Sequence, residues 1–284
     1  MKRVRSTELI RAVIAVMLFA GASAVVSLAS HPCQTCEVTI HLDKDVYLVD
    51  EPIWLDVFVI NTGDEQVTVP PSSHGAGFRL ILINAEGDTL PYEGPTPLYV
   101  RMPIDTLNSG DSLYQCENLL HAFGDRLPWL SAALTIEPGA YRVSGHYARD
   151  TRSNVLTFSV IEADGEERQA RKLLRDGLRH LFSPQEDKGI QELETFMEQY
   201  PHSVYAPRAC LRLAGGYGGG EPNRGKYEAT VRRLLVHYPN SGFVRFALGH
   251  YADRREERVL ALIDSVKSVS KSLRFRMLAK RSGF

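Results

Sequence analysis

The chain lacks the short motifs that announce chemistry. No Gly-x-Ser-x-Gly elbow occurs, so a serine nucleophile has no local support. Its nine histidines are scattered, and no two stand four apart, the spacing that places two zinc ligands on one helix face. Cysteines number four. The single Cys-x-x-Cys run, Cys33-Gln34-Thr35-Cys36, has no second pair to complete a zinc site. It does not open a helix after a strand, as a thioredoxin-type site would, and Glu37 stands where a c-type haem site needs His. Gly220-Glu221-Pro222-Asn223-Arg224-Gly225-Lys226 has the glycine-lysine spacing of a phosphate loop. No strand precedes it, and Tyr227 takes the place of the magnesium-binding Ser or Thr, so it reads as a Gly-rich loop between helices. These absences lead to the expectation of a non-enzymatic protein with no catalytic residues, no metal and no cofactor.

Low-complexity tracts are missing too. Composition is that of an ordinary globular protein, 44% hydrophobic and 24% charged, and 284 residues are enough for two modules. The net charge of −1 conceals a division. Residues 31–162 hold 7 Lys+Arg against 18 Asp+Glu, while residues 163–284 hold 22 against 15. The change of sign predicts a boundary near residue 163. In the basic half the charges alternate along helices, as in Arg254-Arg255-Glu256-Glu257-Arg258, which is the mark of a solvated face and argues against nucleic acid.

Residues 1–29 read as a signal peptide. Lys2, Arg3, Arg5 and Arg11 precede an unbroken apolar run, Ala12 to Ala20, and Ala22-Ser23-Ala24 offers small residues for cleavage. The expected location is periplasmic or extracellular. The alternative is an inner-membrane anchor through residues 12–29, a length near the lower limit for a span, and membrane contact is expected only if the segment is uncleaved. In an oxidising compartment Cys33, Cys36 and Cys116 are disulfide candidates, either within the Cys33–Cys36 pair or from one of them to Cys116. Cys210 sits in an apolar helical phase and is expected to be a buried thiol.

After a short Cys-containing linker, 30–36, the hydrophobic period over residues 37–162 is two. Val38, Ile40 and Leu42 alternate with polar residues. Ile53 to Ile60 is rich in β-branched and aromatic side chains, as befits a strand between two sheets. About eight short strands separated by turn signals predict a β-sandwich. The runs Asp45-Val46-Tyr47-Leu48-Val49-Asp50-Glu51-Pro52-Ile53-Trp54, Leu107-Asn108-Ser109-Gly110-Asp111-Ser112 and Glu137-Pro138-Gly139-Ala140-Tyr141-Arg142-Val143 resemble the corresponding turns of bacterial Ig-like domains. Trp129 is read as core.

From Gly165 the period becomes 3.6: Ala170, Leu173, Leu174, Leu178 and Leu181 share a face. Ser183 and Pro184 read as an N-cap and first helical residue. A helix burying Ile190, Leu193, Phe196 and Met197 ends at Tyr200-Pro201-His202-Ser203, and 38 residues later another ends at Tyr238-Pro239-Asn240-Ser241. This resembles the tetratricopeptide-like repeats of bacterial envelope proteins, over about residues 168–252, although 38 residues replace the usual 34 or so. The expected fold class is therefore multidomain, an all-β Ig-like β-sandwich over 37–162 followed by an all-α, tetratricopeptide-like domain over 163–284. Helical repeats present surfaces to partners. A protein or peptide partner is thus expected at Tyr205, Arg208, Arg212, Tyr217 and Tyr227, residue types that dominate interface energetics. The role this suggests is protein–protein interaction or scaffolding in the bacterial envelope. The rival is a hydrolase or protease inhibitor acting through loops of the sandwich, with His74 and His121 beside an acidic residue for the former and an exposed loop at Ser72–Ala76 for the latter.

Overall fold

A computed structural model of the chain describes residues 35–69, 78–91, 105–123, 136–147, 151–218, 223–252, 260–261, 263–266 and 277. All of these belong to one compact unit, Cys33–Phe284. Residues 1–29, where a signal peptide is expected, Cys33, His74, the Ser72–Ala76 loop and Trp129 lie outside the described residues, as does the side chain of His121.

Strand-forming sequence builds three sheets among the described residues. In the first, β1 (Cys36–Leu42) and β8 (Ser112–Asn118) flank β3 (Trp54–Asn61), all antiparallel. The second runs β2 (Val46–Leu48), β11 (Leu156–Ile161), β9 (Gly139–Tyr147), β5 (Phe78–Ile83), β6 (Thr89–Leu90), with β10 (Thr151–Arg152) pairing β9. Here β2 and β11 are parallel, Val46 opposite Ser159, while the other pairs are antiparallel. A two-stranded sheet joins β4 (Val67–Val69) to β7 (Asp105–Leu107). A short helix, α1 (Leu119–Phe123), follows β8 directly. Then come α2 (Gly165–Leu181), α3 (Glu186–Gln199), α4 (Ala206–Tyr217), α5 (Arg224–His237) and α6 (Val244–Ala252).

The apolar run of β3 explains the layering. Alternate side chains leave a strand on opposite faces. Leu55, Val57 and Val59 enter a core with Val38, Ile40, Leu82, Val143 and Phe158, between the two larger sheets. Trp54 and Phe58 point the other way and join the core of the helices, as do Tyr114 and Cys116 of β8. The helices therefore cover the outer face of the β1–β3–β8 sheet and share its apolar surface.

This corrects the expected fold class. The molecule is a mixed α/β structure with a mixed parallel and antiparallel sheet, not an all-β sandwich followed by an all-α repeat. The reason is physical: β3 and β8 carry apolar residues on both faces, and the second face needs a helical layer to leave water. Helix boundaries shift as well. Ser183 does not cap α3, which starts at Glu186. Its hydroxyl instead donates to the His180 carbonyl (2.8 Å), closing α2, and accepts from the Gln185 amide (3.1 Å). Gly189 is needed where α3 crosses the end of α2, because a Cβ there would stand 2.2 Å from the Leu181 backbone nitrogen. Among the described residues no helix is long and apolar enough to cross a membrane.

Cys36 is a half-cystine whose partner lies outside the described residues. Cys116 is a buried thiol, so the bridge from the Cys33–Cys36 pair to Cys116 is not formed. Cys210 is also a buried thiol; it donates to the Thr230 carbonyl at 3.3 Å, and burial pushes it up to about 12.

Candidate functional site

The helices meet the sheets at the turn after β2. Val49 continues the parallel ladder through its amide to the Ile161 carbonyl (2.9 Å), and the Glu51 amide closes the turn on the Leu48 carbonyl (3.0 Å). Asp50 between them has φ 69°, the left-handed region, which Asp tolerates better than most residues. That conformation turns its carboxylate inward, and Asp50 is 1% exposed. The Glu51 carboxylate accepts from the Leu48 amide (2.9 Å) and pairs with Lys44 (2.6 Å). Burial raises the Glu51 pKa, and Lys44 and the Leu48 amide oppose that shift.

Two helices reach this turn. From α2, Arg171 donates through Nε to Asp50 Oδ2 and through a terminal nitrogen to Glu162, both at 2.7 Å. From the start of α4, the Tyr205 hydroxyl donates to the Val49 carbonyl at 2.7 Å, and Arg208 donates to the Asp50 carbonyl oxygen at 3.4 Å. Asp50 Oδ1 is buried without a hydrogen-bond partner. One carboxylate thus sits between Arg171, which it bonds, and Arg208, which it does not.

One turn beyond Arg208, Arg212 lays its guanidinium over the Phe182 ring, 5.6 Å from the centroid. Successive helical residues are about 100° apart, so Arg171, Arg175 and Phe182 lie within roughly 40° of one another on α2, as do Arg208 and Arg212 on α4. The Asp50 turn thus holds both Arg171 of α2 and Arg208 of α4, and Arg212 meets Phe182 just past the end of α2. Arg171 is satisfied by Asp50 and Glu162. Among the described residues Arg175, Arg208 and Arg212 have no ion pair within 4.0 Å; Arg175 is exposed and Arg212 half-buried. Burial, followed by the neighbouring Arg212 charge, pushes Arg208 down to about 10 despite the opposing pull of Asp50. Burial likewise lowers Arg212. Asp50 offsets part of the cost of burying Arg208, whereas no described carboxylate pairs with Arg212.

The five expected contact residues therefore separate. Tyr205 (0% exposed) and Arg208 (5%) are spent inside the molecule, joining helices to sheet, and are not surface contacts. Tyr217 is buried too, and its hydroxyl donates to Glu194 at 2.6 Å. Tyr227 is half-buried against the helical core. Arg212 is the member that both reaches the surface and lacks a counter-charge.

A depression of about 640 Å³ lies between α5 and residues 265–266, lined by Ala229, Arg232, Arg233, Val236, His237, Ser265 and Val266. Arg233 is engaged there, donating to the Met197 carbonyl at 2.8 Å. No group of three or more His, Cys, Asp or Glu among the described residues could hold a metal ion.

No family model and no curated protein matches the chain. Solved structures give partial likenesses. An alkylpurine DNA glycosylase from Pseudomonas fluorescens, bound to abasic-site DNA, matches at 12% identity and TM-score 0.29, over 45% of this chain and 31% of that one. A CARDB domain from Pyrococcus furiosus, in complex with di-metal ions, matches at 14% identity and TM-score 0.26, over 45% of this chain and 94% of that one. A β-glucosidase from Erythrobacter marinus matches at 9% identity and TM-score 0.27, over 44% and 15%. The match spans less than a third of the glycosylase and of the glucosidase. Likenesses of this strength carry no argument about fold or activity.

Proposed function

We propose that this is an exported, non-enzymatic protein that binds a protein partner through its helical layer. The observation that carries the reading is Arg212, half-buried over the Phe182 ring with no ion pair within 4.0 Å among the described residues. A half-buried cation that its own protein leaves without a paired carboxylate gains from an external one. The absence of a nucleophile–base pair or a metal cluster from the sequence patterns is consistent with this role, and the character of residues 1–29 supports export.

The test is affinity capture from an envelope extract of the source cells, using the full chain and its Arg212→Glu variant side by side. The reading expects a partner retained by the first and lost by the second. Identical capture by both, or no specific capture by either, would remove the helical layer as the binding module.

A further inference from the structure

The second sheet carries a charge pattern of its own, apart from the helical layer. Residues 31–162 hold 18 Asp+Glu against 7 Lys+Arg, yet its six strands, β2, β5, β6, β9, β10 and β11, contain no Asp or Glu. They do contain Arg79, Arg142, Arg152 and His146. Phe78, Leu80, Tyr141, Val143 and Tyr147 fill the core between the sheets, so the alternating Arg79, Arg142 and His146 point outward. Strand register then aligns three of these groups. His146 of β9 stands directly opposite Arg79 of β5 on one side and Arg152 of β10 on the other. The three arginines are exposed and His146 is half-buried; none of the four has an ion pair among the described residues.

We propose that Arg79, His146 and Arg152 form a binding site for a phosphate monoester. Like charges directly opposite one another in a sheet are destabilising, and such side chains stand about 5 Å apart at Cβ. A row of cationic groups with no internal anion gains from an external one. Burial, then Arg152 and Arg79, hold His146 below its ordinary value of 6.5, and no carboxylate opposes them. Those two arginines are the charged groups that face His146 across the strands. Along β9 its outward neighbour is Ser144, and Arg142 is four residues away, roughly 14 Å. A bound dianion reverses the balance, and the imidazole takes up a proton from solvent to become a third donor. The number of donors selects the ligand. A carboxylate or a phosphate diester has two terminal oxygens and one charge, which a single guanidinium satisfies. A phosphate monoester carries up to two charges and three terminal oxygens, one for each member of the row. Nucleic acid strands need aromatic faces on which bases stack. Here every Phe and Tyr of these strands is turned into the core.

The test uses the full chain with isotope-labelled histidine, and His146→Gln assigns the His146 ring signal. Glycerol 3-phosphate is the free monoester probe, with acetate at equal ionic strength as control. Cosedimentation with vesicles of phosphatidic acid, a lipid monoester, or of phosphatidylglycerol, a diester, tests for a headgroup. We expect glycerol 3-phosphate to move the His146 titration midpoint up by about one pH unit. Arg79→Gln and Arg152→Gln should each weaken its binding about tenfold. Arg142→Gln changes net charge equally and should stay within about twofold. Circular dichroism melts of each variant keep unfolding apart from lost binding. Retention on phosphatidic acid vesicles that Arg79→Gln abolishes would assign the phosphate to a lipid headgroup. A response to glycerol 3-phosphate without retention would assign it to a soluble ligand. Equal response to acetate, equal retention on phosphatidylglycerol, or a loss with Arg142→Gln as large as with Arg79→Gln would mean diffuse attraction and overturn the site. No response to any probe would overturn it outright. None of these variants touches Arg212, so this site and the proposed function fail separately.

Discussion

The two Tyr-Pro-x-Ser junctions have the same backbone and different neighbours. In the first, the Ser203 amide donates to the Tyr200 carbonyl (3.2 Å), the Tyr205 amide to Ser203 Oγ (3.2 Å) and the Ala206 amide to the Ser203 carbonyl (3.0 Å). In the second, Ser241 to Tyr238 (3.0 Å), Phe243 to Ser241 Oγ (3.2 Å) and Val244 to Ser241 (3.1 Å) repeat the set. Each serine hydroxyl thus opens the next helix. Each tyrosine also reaches back one unit: Tyr200 to Gln169 at 3.3 Å, Tyr238 to the Pro201 carbonyl at 2.8 Å. What differs is the contact with the sheets. The first junction meets the Asp50 turn with Tyr205 and Arg208. The second meets Trp54 with Phe243, edge to face at 4.8 Å, and has Phe246 where the first has Arg208. A local motif fixes how one helix follows another, while the residues just after it decide whether the docking is polar or apolar.

The largest effect should come from putting the first junction's residue into the second. Position 204 is Val and position 242 is Gly. A Cβ on Gly242 would stand 2.3 Å from the Trp54 ring, so the indole presses directly on that backbone. Gly242→Val is expected to displace Trp54, loosen its pair with Phe243, and cost about 3 kcal/mol in urea unfolding. Val204→Gly, the reverse exchange, meets no such wall and should cost roughly 1 kcal/mol. Equal costs would show that the junctions dock alike.

Making the first junction resemble the second should cost less. Tyr205→Phe supplies the residue type found at 243 and removes the hydrogen bond to the Val49 carbonyl, leaving a buried acceptor unpaired. We expect a loss of about 1–2 kcal/mol of stability. Burial holds the Tyr205 hydroxyl well above the usual tyrosine range, so this loss should not vary between neutral and mildly alkaline pH. Tyr238→Phe removes the hydrogen bond from the second unit to Pro201 at a partly buried site and should cost about 1 kcal/mol by the same measurement.

The 38-residue recurrence, the apolar faces of α2, α3 and α5, and the stop at each Tyr-Pro were legible because they are local: period, a proline and a serine suffice. The β3 run was legible as buried on both faces, but its second cover was not, since nothing in Trp54 or Phe58 names a helix that follows more than a hundred residues later. The parallel pairing of β2 was hidden because three residues carry too little pattern against a partner so far along the chain. At the candidate site the arginines were visible and their burial was not. Arg208 looks like any surface cation in a helix until Asp50, from the sheet side, is found against it. The acidic turn and the basic helix were each readable; their meeting is a tertiary fact.

The smallest effect concerns a carboxylate that has no counterpart in the second unit. Glu194 on α3 accepts from the Tyr217 hydroxyl (2.6 Å) and from Lys226 (3.0 Å), tying the first unit to the second; 38 residues on, the equivalent position is Arg232. The Tyr217 bond and then the Lys226 bond hold Glu194 below its ordinary value of 4.5, against a smaller opposing effect of burial. A carboxylate whose pKa is depressed on folding binds protons less readily in the native state than in the unfolded one. Its contribution is therefore complete above the unfolded value and fades as pH falls through the folded one. Urea unfolding of the wild type and of Glu194→Gln should differ by a constant amount from neutral pH down to about 5, and the difference should shrink as the pH drops toward 3. The effect is small because Glu194 and Lys226 are partly in water, where the solvent screens their charge. A difference that stays constant into acid would mean that shape, not charge, joins the two units at this point.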